Sequence, residues 1–382
     1  MIDAATATLA RRDLVDWLRL IRSENVGPVT FRNLLACYGS AGAALEALPE
    51  LARRGGRRRP VRIASKAQAD REMAAIDKAG ATILPVGSPA YPAPLAAIDD
   101  APPLLFALGH TDLLTRPAVA LVGARNASAN GRRMARELAA ELAADGYVIT
   151  SGLARGIDAA AHAGALNDGT AAVLAGGLDV IYPQENTSLY HEIVERGVVV
   201  AENALGTEPQ ARHFPRRNRV ISGISLGLVV VEAALKSGSL ISARLAGEQG
   251  REVMAVPGSP LDSRASGCNR LLKQGAVLVE RADDVRTALA RHSAPGPEEG
   301  EGGLFALDGP TAPAEPDTDV LHEARREILE LMGPTPVAVD ELIRECELSP
   351  SIVTMVLLEL ELAGRCERHP GNRAALVGGG AV

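Results

Sequence analysis

Residues 118–166 read AVALVGARNASANGRRMARELAAELAADGYVITSGLARGIDAAAHAGAL, and this stretch decides the fold. An apolar run from Ala118 to Val122 stops at Gly123, and a loop carrying Arg125 and Asn126 follows. Met134, Leu138 and Leu142 then recur at i, i+4 and i+8, one face of a helix that Gly146 is placed to end. A second apolar run, Val148 to Thr150, gives way to Ser151-Gly152, and a second helical pattern begins after Gly156. Strand, loop and helix occurring twice predict a parallel sheet whose loops gather at the carboxyl ends of its strands.

Outward from this unit the pattern continues. Short runs at Ala171–Leu174, Val198–Ala201, Leu228–Val231, Val253–Val256 and Ala276–Val279 bring the predicted strands to seven. None alternates apolar with polar, as befits strands buried on both faces. The expected fold is α/β: an extended Rossmann-like, doubly wound, mostly parallel sheet over residues 81–292. Residues 81–117 are rich in proline, which forbids long helices, and carry one or two flanking strands.

Both flanks differ in character. Residues 1–80 read as a helical, SAM-like or helix-hairpin-helix-like domain, with Leu14, Trp17, Leu18 and Ile21 on one face and a Gly27-Pro28 break. The basic stretch from Arg53 to Arg59 is read as a solvated linker. Residues 293–319 hold seven acids, five prolines and no Lys or Arg, the composition of a flexible linker. The chain carries a net charge of −7, and that linker accounts for all of it, so the rest is neutral and an anionic ligand is not excluded. Residues 320–382 form a winged-helix-like domain: three helices, then a Pro370-Gly371-Asn372 turn between two strands. Its third helix, from Ser349 to Gly364, contains no Lys or Arg, so a protein-contact role is expected there rather than base reading.

Composition excludes several classes. Apolar residues make up 47% of the chain, so it is globular, while aromatics at 3% leave the core to Ala, Val and Leu. No run of 18 apolar residues exists, so no membrane span is expected. The N-terminus lacks the pattern of a signal peptide, which points to the cytoplasm. Cys37, Cys268, Cys346 and Cys366 form no CxxC and no zinc spacing, so free thiols and no metal are expected.

The distinctive polar segments each follow a predicted strand, on the edge where ligands bind. GARNASANG does not match the GxGxxG of dinucleotide sites, and Lys236-Ser237 is preceded by Leu235 where a P-loop needs Gly, so no nucleotide cofactor is expected. The strongest cluster is His213-Phe-Pro-Arg-Arg-Asn-Arg, which places Arg216, Arg217, Asn218 and Arg219 around a helix start. Guanidinium groups hold phosphate bidentately, and Phe214 beside them offers a stacking platform for an unpaired base. One or more of these arginines is expected to pair structurally with Glu202, Glu232 or Asp158. Ser151 and Gly152 add donors, and Lys236, Ser237, Gly238 and Ser239 form a second phosphate-type turn whose alternative reading is ordinary helix capping. Asp158 and His162, at i and i+4, are placed to touch, but no third partner is evident, and no catalytic residue is assigned.

SGLARGIDAAAH, LAGGLDVIYPQEN, HFPRRNRVISGIS and VVVEAALKSGSLISARLA, followed by MAVPG and GCNRLLKQGA, resemble the DNA-processing protein A (DprA/Smf) family over about residues 80–285. The resemblance implies a non-enzymatic protein of natural transformation and competence. Such a protein binds and protects incoming single-stranded DNA, forms a homodimer and helps load the RecA recombinase, also where single-strand-binding protein is present. It assigns DNA contacts to Arg125, to Arg216, Arg217 and Arg219, and to Lys236–Ser239, although Ala124 stands where the family commonly has Ser. The alternative is a nucleoside-monophosphate hydrolase, of whose PGGxGT motif Ala175-Gly176-Gly177 is a distant echo.

Overall fold

A computed structural model of the chain describes residues 9–293, 318–369 and 371–377. Most of the predicted acidic linker lies outside the described residues. In chain order the elements begin with helices α1 (Arg11–Ile21), α2 (Pro28–Tyr38), α3 (Ala41–Arg54) and α4 (Lys66–Ala79), strand β1 (Thr82–Pro85), helix α5 (Ala93–Ala96) and strand β2 (Leu104–Gly109). Alternation follows: β3 (Ala118–Val122), α6 (Ala129–Ala144), β4 (Val148–Ser151), α7 (Ile157–Ala165), β5 (Thr170–Val173), α8 (Thr187–Arg196), β6 (Val198–Ala201), α9 (His213–Ile224), β7 (Gly227–Val230), α10 (Ser239–Glu248), β8 (Glu252–Ala255), α11 (Ser266–Lys273), β9 (Val277–Leu278) and α12 (Ala282–Ser293). The last part holds α13 (Thr318–Leu331), β10 (Val337–Ala338), α14 (Val339–Glu345), α15 (Pro350–Leu362), β11 (Cys366–His369) and β12 (Arg373–Leu376).

The chain divides into two compact units, one built on residues 74–293 and one that joins residues 9–73 to the C-terminal segment. The first is the doubly wound sheet, with strand order β1-β2-β6-β5-β4-β3-β7-β8-β9. All seven apolar runs appear as the parallel strands β3 to β9, and the proline-rich stretch supplies β1 and β2, an antiparallel pair on the β6 edge. Alternate residues of each strand serve opposite faces. Ala118, Ala120 and Val122 of β3 join Leu228 and Val230 of β7 in one core, while Val119, Leu121 and Val229 enter the other. Strand order reverses between β3 and β7. From β3 the chain winds one way through β4, β5 and β6, and from β7 the other way through β8 and β9, with the connecting loops on one edge.

The second unit joins segments expected as separate domains at opposite ends of the chain. Trp17 and Phe31 pack edge to face at 5.0 Å in the helical part. In the winged part, Ser349 caps α15, and β10, β12 and β11 form the small antiparallel sheet. Residues 357–362 of α15 are buried without a break, which one packing face of a helix cannot do. Leu357 and Leu360 face the winged core, and α3 and α2 pack against α15 as well. Two carboxylates are enclosed there. Glu359 pairs with Arg325, while Glu361 lies 3.5 Å from Arg368 and accepts a 3.4 Å hydrogen bond from Thr30 Oγ1. Asn25 Nδ2 donates to the free carbonyl of Leu362 at 3.2 Å, and Arg365 to that of Gly55 at 3.4 Å. The basic stretch read as a linker is therefore seated against α15.

Gly55 is the point of closest approach. A Cβ there would lie 2.0 Å from the Glu359 carbonyl oxygen and 2.9 Å from the Ala363 Cβ. Gly55→Ala is expected to cost about 1–3 kcal/mol, the usual penalty for overpacking. Denaturant unfolding checks this, and an unchanged midpoint would show that α15 and the end of α3 do not touch in solution.

Candidate functional site

The reversal of strand order between β3 and β7 is where such sheets usually take a dinucleotide, with its pyrophosphate at the N-terminus of the first helix. Here the chain fills that position itself. Glu232, just after β7, reaches across the reversal to α6. Its carboxylate accepts from the Ser128 backbone N–H at 2.9 Å and from the Ser128 hydroxyl, which in turn caps Gly131 N at 2.8 Å. A carboxylate beside the free amides of a helix start is stabilised by the same partial charge that attracts phosphate.

The open site lies a strand further over. A cleft of about 180 Å³ is lined by Arg125 from the β3 loop, Gly152, Ala154 and Arg155 from the β4 loop, Tyr182 to Glu185 after β5, and Phe214 and Arg217 of α9. These residues come together because the loops after three adjacent parallel strands share one edge, and α9 starts above them. Phe214 and Arg217, three apart on α9, share a helix face. The Arg125 guanidinium sits 5.1 Å from the Phe214 ring centre and that of Arg217 at 5.9 Å. Tyr182 packs edge to face on the same ring at 5.9 Å. Arg155 and Glu185 face each other at 3.5 Å, both exposed, a pairing worth little in water.

Arg217 is the buried cation of the site, only 7% exposed. One of its terminal nitrogens donates to the Val173 carbonyl at 3.0 Å, and its Nε–H has no partner. The guanidinium lies so close over residue 152 that a Cβ there would stand 1.6 Å from a terminal nitrogen, hence the glycine. Burial pulls the Arg217 pKa down to about 10, the charge of Asp158 pushes it up, and Arg125 lowers it further. Asp158 does not close on the arginine. Its Oδ2 accepts from the backbone N–H of Gly152 at 3.2 Å and of Ala154 at 3.4 Å, and burial holds its pKa above the usual carboxylate range despite Arg217. The result is a buried positive charge with a spare donor beside an open cleft, an arrangement that an anion completes.

The remaining candidates fall into distinct environments. Arg219 is committed to structure: it pairs with Glu202 at 2.6 Å and with Asp100 at 3.4 Å. Ser151 lies inside β4, and its hydroxyl is used on the Leu121 carbonyl at 2.6 Å. Arg216 is exposed and Asn218 half-buried, and neither lines the cleft. Lys236, Ser237, Gly238 and Ser239 follow β7 on the other side of the reversal, where the two serine hydroxyls bond each other at 2.7 Å and Lys236 is exposed. The segment Ala175–Leu178 is buried, with Ala175 O accepting from Asn203 and Gly177 N donating to Thr207 O. Its backbone is thus used internally, which gives the nucleotide-hydrolase reading no support. Tyr182, Arg155 and Glu232 were not singled out from sequence. For Tyr182 the available signal was an aromatic residue in a loop just beyond a strand's carboxyl end.

Asp158 and His162, expected to touch, find other partners. Thr170 Oγ1 donates its single proton to the Ile149 carbonyl at 2.8 Å. His162 Nδ1, 2.7 Å from the same oxygen, must therefore donate. The ring is neutral and its Nε2 has no partner. Burial, and then the nearby Arg217 charge, push its pKa down to about 3. Among the described residues no group of three or more His, Cys, Asp or Glu is placed to hold a metal ion, and no helix is long and apolar enough to cross a membrane.

A doubly wound sheet that plugs its dinucleotide position and keeps a cationic, aromatic cleft on the same edge, in a chain that also carries a helical segment and a winged helix, defines a class of proteins built to hold anions without the usual cofactor motif. Comparison with known proteins narrows the class. Residues 82–290 match the model of DNA recombination-mediator protein A, residues 11–75 that of the DprA-like N-terminal HHH domain, and residues 310–372 that of the DprA winged helix domain. Protein Smf of Escherichia coli is 41% identical over 302 residues, 77% of each chain, and DNA processing protein DprA of Bacillus subtilis is 43% identical over 56% of this chain and 73% of its own. The solved structure of DNA processing protein A from Streptococcus pneumoniae aligns with a TM-score of 0.60 at 35% identity, covering 73% of this chain and 98% of that one. That of the Helicobacter pylori protein, reported for its single-stranded DNA binding mode, aligns at 0.51 and 31%, covering 55% and 96%. The chain belongs to the DNA-processing protein A family.

His162 supplies a test of the site's electrostatics. Its folded pKa lies below the unfolded value of about 6.5, so it contributes stability above pH ~6.5 that is lost as pH falls towards about 3. In that window the wild type is expected to lose on the order of a few kcal/mol on its account. His162→Gln should remove about one proton from the slope of stability against pH. Unfolding curves at pH 7, 5 and 4 with the same slope in both proteins would place the proton uptake elsewhere.

Proposed function

We propose that this protein binds single-stranded DNA in the cleft lined by Arg125, Gly152, Tyr182, Phe214 and Arg217. The observation that carries the reading is Arg217, a buried guanidinium with an unspent N–H beside an open cleft and an aromatic ring. Phosphate supplies the missing acceptor. A single strand also offers unpaired bases to Phe214, whereas a duplex keeps its base faces stacked inside. The single-stranded DNA binding reported for the Helicobacter pylori relative supports the same choice.

Within the family's DNA-processing role, the strand is incoming DNA of natural transformation. The protein shields it and passes it to a RecA-type recombinase in the cytoplasm, also where single-strand-binding protein is present. A homodimer lets two clefts engage one strand. The work asked of the residues is binding, not bond chemistry: His162 is neutral and fixed on Thr170, and Asp158 is spent on backbone amides. Arg216 and Lys236–Ser239, outside the cleft, are the residues along which the strand continues. Arg219 maintains the fold beneath it.

The test is binding of matched single- and double-stranded oligonucleotides across a salt series, with the protein's mass in solution measured alongside. Single strands should bind more tightly, with log affinity falling against log salt by about 0.7 for each phosphate engaged. Arg125→Ala should weaken binding about tenfold and flatten the slope by about one such step. Arg219→Ala should instead lower stability by about 3 kcal/mol, the cost of leaving Glu202 and Asp100 without their partner. Equal affinity for both strand types, unchanged in Arg125→Ala, would overturn the proposal.

A further inference from the structure

We propose that Tyr182 and Phe214 together form a slot for one unpaired base of the bound strand, and that the base takes the ring surface that Arg125 covers in the free protein. The inference rests on the strand-binding role above and goes on to say what the cleft recognises besides phosphate. Tyr182 is 48% exposed, unusual for a ring in a chain so poor in aromatics. Its hydroxyl has no hydrogen-bond partner among the described residues, so nothing holds the side chain except the edge-to-face contact with Phe214 at 5.9 Å. The two rings come from different elements, the loop after β5 and the first turn of α9, and both line the cleft. An exposed aromatic pair of this kind gains by covering its surface with a flat apolar group.

The cations explain why the slot is closed without ligand and opens with it. Arg125 and Arg217 both lie within 6 Å of the one Phe214 ring, and each charge disfavours the other. Arg217 is buried and fixed by Val173, so it cannot leave. Arg125 is exposed and pairs with no carboxylate among the described residues, so it can. A strand brings a phosphate to which Arg125 turns, which separates the two like charges and frees the ring face. The adjoining base then stacks on it. Such stacking is tolerant of sequence, because every base has a flat face.

Two strands of equal length and charge separate base from backbone: oligo(dT) and the same oligonucleotide with abasic tetrahydrofuran residues. Wild type should bind the base-bearing strand about five- to tenfold more tightly. Tyr182→Ala should lose most of that preference while holding abasic affinity and the salt slope constant, because no phosphate contact is removed. Tyr182→Phe should behave as wild type. Arg125→Ala should weaken both strands alike. Wild type that binds both strands equally would overturn the slot and leave the phosphate site standing. A Tyr182→Ala protein weakened equally for both strands would assign the residue to backbone contact and overturn it too. Wild type that binds neither strand would remove the strand-binding role and the slot together.

Discussion

Arg217 holds a positive charge inside the protein that nothing in the chain fully meets, and much of the surrounding sequence answers to it. Residue 152 can carry no side chain because the guanidinium lies over it. Asp158 is near enough to offset the charge but is turned to the amides of the β4 loop, so it steadies the arginine without neutralising it. His162 behind it must stay neutral. Phe214 covers the remaining side with a ring that tolerates a cation. A buried charge left short of partners destabilises the folded chain, and such arrangements are characteristic of sites that a ligand completes.

The sheet was legible because its strands are short apolar runs buried on both faces, each ended by glycine or a polar loop. That pattern has no common alternative reading once helices intervene. The position of the site was legible for the same reason: the loops that follow parallel strands must share an edge. Residue roles within the site were less accessible. Arg217 and Arg219 look equivalent in PRRNR, yet two residues along a helix turn the side chain through about 200°, so one faces the cleft and the other Glu202. Which of them is spent depends on where Glu202 and Asp100 fall in the folded chain, and no local pattern carries that. Tyr182 was passed over because attention to cations does not reveal a ring supplied by a loop.

The ends of the chain show the same limit. Helical periodicity identified α1 to α3 and the three helices of the winged part, but periodicity describes an element's own apolar face and is silent on what covers it. The unbroken burial of residues 357–362 arises from two partners on opposite sides of α15, one of them encoded some three hundred residues earlier. Without a cation on α15 the sequence already argued against a DNA reader. The structure adds that the second half of that helix is occupied by the chain's own N-terminal helices.

Glu232 has a consequence of a different kind. A tethered carboxylate at the α6 start is a ligand that never diffuses away, present at an effective concentration set by the fold rather than by the cell. A free nucleotide seeking the usual diphosphate position of this architecture would have to evict it and leave its charge unmet. The family scaffold, shared with proteins whose activity follows the supply of dinucleotides, is in this chain insulated from that supply. Occupancy of the neighbouring cleft then depends on the presence of strand and on ionic strength, and not on the metabolic state of the cell.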